Sequence, residues 1–191
     1  MIPGFPPEET KEFYQLLSNS KVYFEYGLGG STYQAFKMDN IKKIYSVESD
    51  NYWINKLYQY DIPKNNDKLE IIYIDIKAKQ NNYGYPGKDS QYSDWIKYSR
   101  AFSSLDNETK KKVDLILIDG RFRVACALNL IKEIQDNTIV VFDDFFNRKA
   151  YHIVLDYYDV IKRIGRMAIL KKKKNIFPPD DLIIKYEKES G

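Results

Sequence analysis

The chain is short of three things. It has one cysteine, Cys126, in 191 residues, so no disulfide can form within it and cross-links of the kind that hold small secreted domains together are excluded. It has no apolar run near the roughly 20 residues that span a bilayer, and it does not open with a charged segment followed by an apolar stretch, as a secretory signal would. It also lacks an excess of charge of either sign. Its 30 Lys and Arg stand against 27 Asp and Glu, a formal +3 that gives no electrostatic argument for a nucleic-acid partner. The expectation is a soluble, cytoplasmic chain with no membrane span, a single domain over residues 1–191, and a length that allows a full hydrophobic core. Nothing in the sequence speaks to its oligomeric state.

What the chain does have is alternation. After Pro6 and Pro7, residues 8–17 carry Phe13, Leu16 and Leu17 at helical spacing. Short apolar runs follow at 22–26, 44–47, 69–74, 113–118 and 138–142, rich in Val, Ile and Tyr and without clean polar alternation, as strands covered on both faces should be. The segments between them, 31–39, 51–60, 90–105 and 121–134, leave room for the crossover helices that parallel strands require. Residues 147–157 read as a further helix. Two β-prone runs, YDVIKRIG and RMAILKKK, then meet at Gly165 as an antiparallel hairpin, and the tail after Pro178 and Pro179 reads as a short helix. The fold class is therefore α/β: a doubly wound sheet of seven strands, parallel except for the last, with helices on both faces.

The stretch VYFEYGLGGSTYQAF places Glu25 at the end of the first strand and passes through Gly27, Gly29 and Gly30 into a helix. A strand, a glycine turn and a helix N-terminus let backbone approach a ligand closely and offer it free N–H groups. Thr32 stands where a dinucleotide fingerprint has its last glycine, which weakens a nicotinamide reading. The second strand ends in Glu48, 23 positions beyond Glu25, close to the offset at which an acid binds ribose hydroxyls. The third ends near Asp75, placed to accept from an adenine amino group. Three successive strands each ending in an acid is a stronger signal than any one of them.

The fourth and fifth strands end in Asp119 (LILIDG) and in Asp143 and Asp144 (VVFDDF). Neighbouring parallel strands lie about 4.8 Å apart, so these carboxylates converge and need a cation or a shared proton. Three readings stay open: a Mg²⁺ ion held by Asp119, Asp143 and Asp144, a metal-free general base, or solvated strand ends. Arg121, Arg123 and Arg148 flank the acids, either neutralising them or binding an anionic substrate group. His152, the only histidine, is a candidate base, and Cys126 reads as a core thiol. The irregular segment 77–91 falls at the sheet's carboxyl edge and reads as either a substrate loop or a surface connection.

The motifs FEYGLGGST, YSVESD, IDGRFRVACAL and VVFDDFFNR followed by Tyr151 resemble the small Rossmann-like, class I S-adenosylmethionine-dependent methyltransferases, over about residues 21–172. Within that class the chain is similar to bacterial and viral members associated with glycan pathways. The resemblance implies S-adenosylmethionine as cofactor. Glu25, Gly27 and Gly29 would then line its methionine end, with Ser31 and Thr32 opening the helix, Glu48 on the ribose, Asp75 near the adenine and Asp119 completing the set. The paired tip acids are similar to those of metal-dependent sugar and catechol O-methyltransferases, which implies catalysis by Asp119, Asp144 or His152 and a small-molecule or glycan acceptor. A nucleic-acid methyltransferase is the alternative, although Asp119-Gly120-Arg121-Phe122 lacks the Pro-Pro of the adenine-specific forms. A non-catalytic S-adenosylmethionine-binding module is another.

Overall fold

The computed structural model of the chain describes residues 1–79 and 82–191. Seven strands form one sheet in the order β3-β2-β1-β4-β5-β7-β6. β1 (Val22–Tyr26), β2 (Lys43–Glu48), β3 (Leu69–Tyr73), β4 (Leu115–Ile118) and β5 (Ile139–Phe142) pair in parallel. β7 (Met167–Lys172) lies antiparallel between β5 and β6 (Tyr158–Ile164), which makes it the one strand of reversed direction, as expected from the Gly165 hairpin.

The missing polar alternation has its cause in the packing. Successive residues of one strand enter different cores: Phe24, Tyr26, Ile116, Ile118 and Phe142 pack on one face, and Tyr23, Leu115, Leu117 and Val141 on the other. The first face is covered by α4 (Tyr92–Ser99), α6 (Arg123–Leu130) and α7 (Asp180–Tyr186), and the second by α1 (Pro7–Ser18), α2 (Gly30–Lys37) and α3 (Asn51–Leu57). Cys126 is fully buried in the first core.

Register decides where the strand ends fall. Tyr26 pairs with Val47 and Ile118, and Ile118 pairs with Phe142. The next residues along each strand, Gly27, Glu48, Asp119 and Asp143, are therefore level at the carboxyl edge. The chain starts at β1, winds out to β3 and returns at β4, so the β1–β4 junction is the switch point where such sheets open a ligand crevice.

Three details differ from the sequence reading. The 147–157 segment forms a 3-10 helix over Lys149–Asp156, with the neighbouring β-branched Ile153 and Val154 disfavouring an α-helix. β4 begins at Leu115, two residues later than read, and the Asp114 carboxylate just before it accepts the backbone N–H groups of Lys21 and Val22. The short helix α5 (Asn107–Lys112) precedes β4, capped by Asp106, whose carboxylate accepts from Glu108 and Thr109 N–H.

α7 is tied down by one buried group. Glu187, just past its end, is 0% exposed and accepts from Arg100 Nε at 2.7 Å, from the hydroxyls of Tyr92 and Ser99 and from the Asn129 amide. Glu187→Ala leaves these donors without their acceptor and is expected to cost about 1–3 kcal/mol. Urea unfolding should show a lower midpoint at unchanged slope, and an unshifted midpoint would contradict this anchoring role.

Candidate functional site

A cleft of about 640 Å³ opens at the carboxyl edge over the β1–β4 junction. Its floor is the turn after β1 and the turn after β4. Gly27 has φ +100°, a left-handed conformation natural to glycine, and a Cβ there would lie 2.9 Å from Gly120 N. A Cβ on Gly120 would come within 2.1 Å of the Tyr98 hydroxyl. Both glycines are required by close approach, and together they place Asp119 against the first turn.

Beneath that turn sits Glu25, 0% exposed. Its carboxylate accepts from the hydroxyls of Tyr23, Ser31 and Ser46, each at 2.7 Å, and from Thr32 Oγ1. Burial raises its pKa although all four of these bonds favour the charged form. Glu25, Ser31 and Thr32, expected as cofactor ligands, lie below the cleft lining and bond to one another. Their effect is to brace the start of α2, whose Thr32 Oγ1 also takes the Gly29 N–H at 2.9 Å. Gly27 and Gly29 do line the cleft.

Glu48 also lines it. Its Oε1 accepts the N–H groups of Ser49 and Asp50 at 2.6 and 2.8 Å, and its Oε2 accepts Leu28 N–H at 3.1 Å, which ties the glycine turn to the β2 tip. Burial pushes its pKa up to about 7. One acceptor position remains on Oε2 for a hydroxyl donor. Asp75 lies elsewhere. It borders a neighbouring cavity of about 460 Å³ with Tyr73 and Asn51, and it pairs with Lys77 at 2.5 Å.

The acids after β4 and β5 do converge, and guanidiniums hold the space among them. Arg123, 5% exposed, reaches Asp119 at 3.0 Å and Asp143 and Asp144 at 3.6 Å. Its donors are fixed by the backbone carbonyls of Asp119, Gly120 and Asp143 at 2.8–3.0 Å. Arg148 bonds Asp144 at 3.0 Å and the Tyr151 hydroxyl at 3.1 Å. From the turn between β6 and β7, Arg166 faces Asp144 at 3.3 Å, Glu9 of α1 at 3.4 Å and Asp143 at 3.6 Å. Four carboxylates meet three guanidiniums, so one negative charge is unmatched. Burial, together with the Asp143 and Asp144 carboxylates, raises the pKa of Asp119, although about a third of its side chain (32%) reaches solvent on the cleft side.

This arrangement gives the Mg²⁺ expectation no support. The ion would need oxygens at about 2.0–2.1 Å in octahedral geometry, whereas the point between Asp119, Asp143 and Asp144 is taken by a buried, carbonyl-bound guanidinium. Among the described residues no group of three His, Cys, Asp or Glu side chains is placed to hold a metal ion. Arg123, also in the cleft lining, has its donors engaged by the acids and by backbone. His152 is set apart from the cleft lining: its Nε2 lies 3.1 Å from the Phe145 carbonyl and its ring packs on Phe145, so the expected base role finds no geometry here.

Several cleft residues were not singled out in the sequence. Within the 77–91 segment, of which Gln80 and Asn81 lie outside the described residues, Lys79 N–H bonds Tyr85 O, Gly87 N–H bonds Lys77 O, and Tyr83, Gly84 and Tyr85 line the cleft. Residues 1–5 cross the other side, and Trp53, Lys56 and Tyr60 close that end. None of these carries a short motif. Only the position of the 77–91 segment after the third strand pointed to it.

No protein-family profile matches the chain, and no curated protein sequence matches it. Solved structures do. A methyltransferase-like protein from Silicibacter pomeroyi is similar over 98% of this chain and 97% of its own, at 28% identity and a TM-score of 0.84. A Staphylococcus aureus protein assigned as a caffeoyl-CoA O-methyltransferase matches 90% of this chain and 86% of its own, at 16% identity and 0.53. MycE methyltransferase of the mycinamycin biosynthetic pathway, solved with Mg and SAH (S-adenosylhomocysteine), matches 91% of this chain and 48% of its own, at 12% identity and 0.51. The last two speak to fold alone. The fold of this chain is the Rossmann-like fold of the methyltransferases.

The raised pKa of Glu48 has a measurable consequence. A carboxyl that is protonated more easily in the folded state contributes stability that is complete below its unfolded value of 4.5 and lost as pH rises through about 7. The stability of Glu48→Gln relative to the wild type should therefore rise by about 1–3 kcal/mol between pH 4.5 and 7. Chemical denaturation at several pH values reads this, and a pH-independent difference would contradict it.

Proposed function

We propose that the chain is an S-adenosylmethionine-dependent O-methyltransferase acting on a hydroxyl of a sugar, glycan or other small molecule. The observation that carries this reading is the placement of Asp119, a carboxyl of raised proton affinity, on the floor of a cleft directly against the glycine turn. The methyltransferase fold and the level strand tips support it.

When bound, S-adenosylmethionine supplies an electrophilic methyl group on a sulfonium, and the acceptor oxygen displaces the thioether. The protein's work is to position and to remove a proton. The backbone of Gly27 to Gly30 gives close approach, and the free acceptor position on Glu48 Oε2 suits a ribose hydroxyl. In its ionised form Asp119 takes the proton from the acceptor hydroxyl. Its carboxyl group is held by Arg123 at 3.0 Å, and the shortage of positive charge in the cluster favours the protonated product of that step. Arg123 stabilises charge in the place where a metal ion was expected, so no metal is part of this reading.

Calorimetry with S-adenosylhomocysteine tests the cofactor. Binding is expected, and Glu48→Ala should weaken it by about 1–3 kcal/mol through the lost charge-assisted hydrogen bond. No heat of binding from the wild type would refute the reading. The chemistry is tested by methyl transfer to a panel of sugars and catechols. Asp119→Asn should slow turnover about 10²–10⁴-fold with cofactor affinity retained, and EDTA should leave the wild-type rate unchanged. Loss of turnover in EDTA with recovery on adding Mg²⁺ would restore the metal and displace Arg123 from this role.

A further inference from the structure

One arginine of the cleft has nothing to neutralise among the described residues. Arg123, Arg148 and Arg166 each stand within 3.0–3.6 Å of a carboxylate. Arg121, two residues from Asp119 and also in the cleft lining, pairs with no carboxylate among the described residues. It is only 7% exposed, yet its Nε and Nη1 are buried without a hydrogen-bond partner among the described residues. A buried guanidinium with unmet donors is costly, and such groups mark places where a ligand completes the bonding.

The side chain is also held in position. Its guanidinium carbon lies 4.1 Å from the centre of the Tyr85 ring, and its backbone N–H donates to the Tyr98 hydroxyl at 3.3 Å. The ring contact holds the group in place, and a guanidinium is the side chain whose planar donors suit a carboxylate or phosphate. The field at this corner is positive: against the upward pull of desolvation, Arg121 and then Arg148 bring the pKa of the Tyr85 hydroxyl below its ordinary value.

We propose that Arg121 binds a carboxylate or phosphate group of the methyl acceptor, so that the acceptor is an acidic hydroxy compound, such as a sugar acid or sugar phosphate. The assignment of this anion to the acceptor rests on the methyltransferase reading and on the closeness of Arg121 to Asp119, the base for the acceptor hydroxyl. The carboxylate of the cofactor's amino-acid end has the same chemistry, and the experiment separates the two sources.

The wild type saturated with S-adenosylhomocysteine is titrated with glucuronate, inorganic phosphate and glucose, by calorimetry or NMR. At least one oxyanion should bind at least tenfold more tightly than glucose. Arg121→Gln should lose that affinity tenfold or more while S-adenosylhomocysteine binding stays within twofold, and Arg121→Lys, which keeps the charge without the planar fork, should fall between. Thermal melting checks folding, and if the glutamine variant is unfolded the lysine variant carries the comparison. Absence of oxyanion binding by the wild type, or equal binding by the variants, overturns the proposal. So does a tenfold loss of S-adenosylhomocysteine affinity in Arg121→Gln with 5′-methylthioadenosine, which lacks the carboxylate, bound as before; that result gives Arg121 to the cofactor. A wild type that binds phosphate through Arg121 but no S-adenosylhomocysteine removes the methyltransferase reading and leaves the oxyanion site.

Discussion

The close approach of two backbone turns, at Gly27 and Gly120, is the constraint on which the cleft depends. No side chain fits between them, since a Cβ on Gly27 would meet Gly120 N at 2.9 Å. With the turns in contact, the ends of β1 and β4 are level, and the residue before Gly120 is brought against the residue after Tyr26. Glu25 works from below to the same end. Its four hydroxyl partners come from β1, β2 and the first turn of α2, so one buried carboxylate ties both strands to the helix that begins beside the cleft. An acid so fully bonded braces the turn and has little left to offer a ligand.

The second organising feature is charge. Carboxylates crowded at adjacent strand tips need positive charge nearby, and the chain supplies it from three separate places: Arg123 at the start of α6, Arg148 before the 3-10 helix and Arg166 in the turn before β7. Glu9 of α1 joins through Arg166, which links the first helix of the chain to the site. Two of the turns carrying these residues also hold left-handed non-glycine residues, Phe122 at φ +53° and Asp144 at φ +58°, conformations that need a packed surrounding to persist. Here that surrounding is a buried aromatic core on one side and the guanidinium network on the other. Arg121 is set apart from its neighbours because it shares the location without sharing the network.

The three arginines flanking the acids look alike in the sequence and differ in the structure. Arg121 and Arg123 are separated by one residue, yet one lies over the Tyr85 ring with donors unmet among the described residues and the other is enclosed by carbonyls and carboxylates. The left-handed Phe122 between them turns the chain from strand exit to helix start and sends the two side chains to different surroundings. Spacing alone carries no record of that turn. The same holds for Asp75 and His152: each is turned to a local partner, Lys77 for one and Phe145 for the other.

The sequence by itself determined the strand order in time, the two-sided burial of the strands, the closing hairpin and the acids at the strand ends. These follow from local patterns: apolar runs of strand length, glycines at turns, and acids one residue past each run. Tertiary structure alone decided which of those groups face open space and which are spent on the protein. Glu9 and Arg166, 157 positions apart, meet only because α1 packs beside the β6–β7 hairpin, and Arg123 takes the place foreseen for a metal only because its side chain folds back over the β4 and β5 tips. Partnership between distant side chains depends on packing in three dimensions, and no periodicity along the chain encodes it.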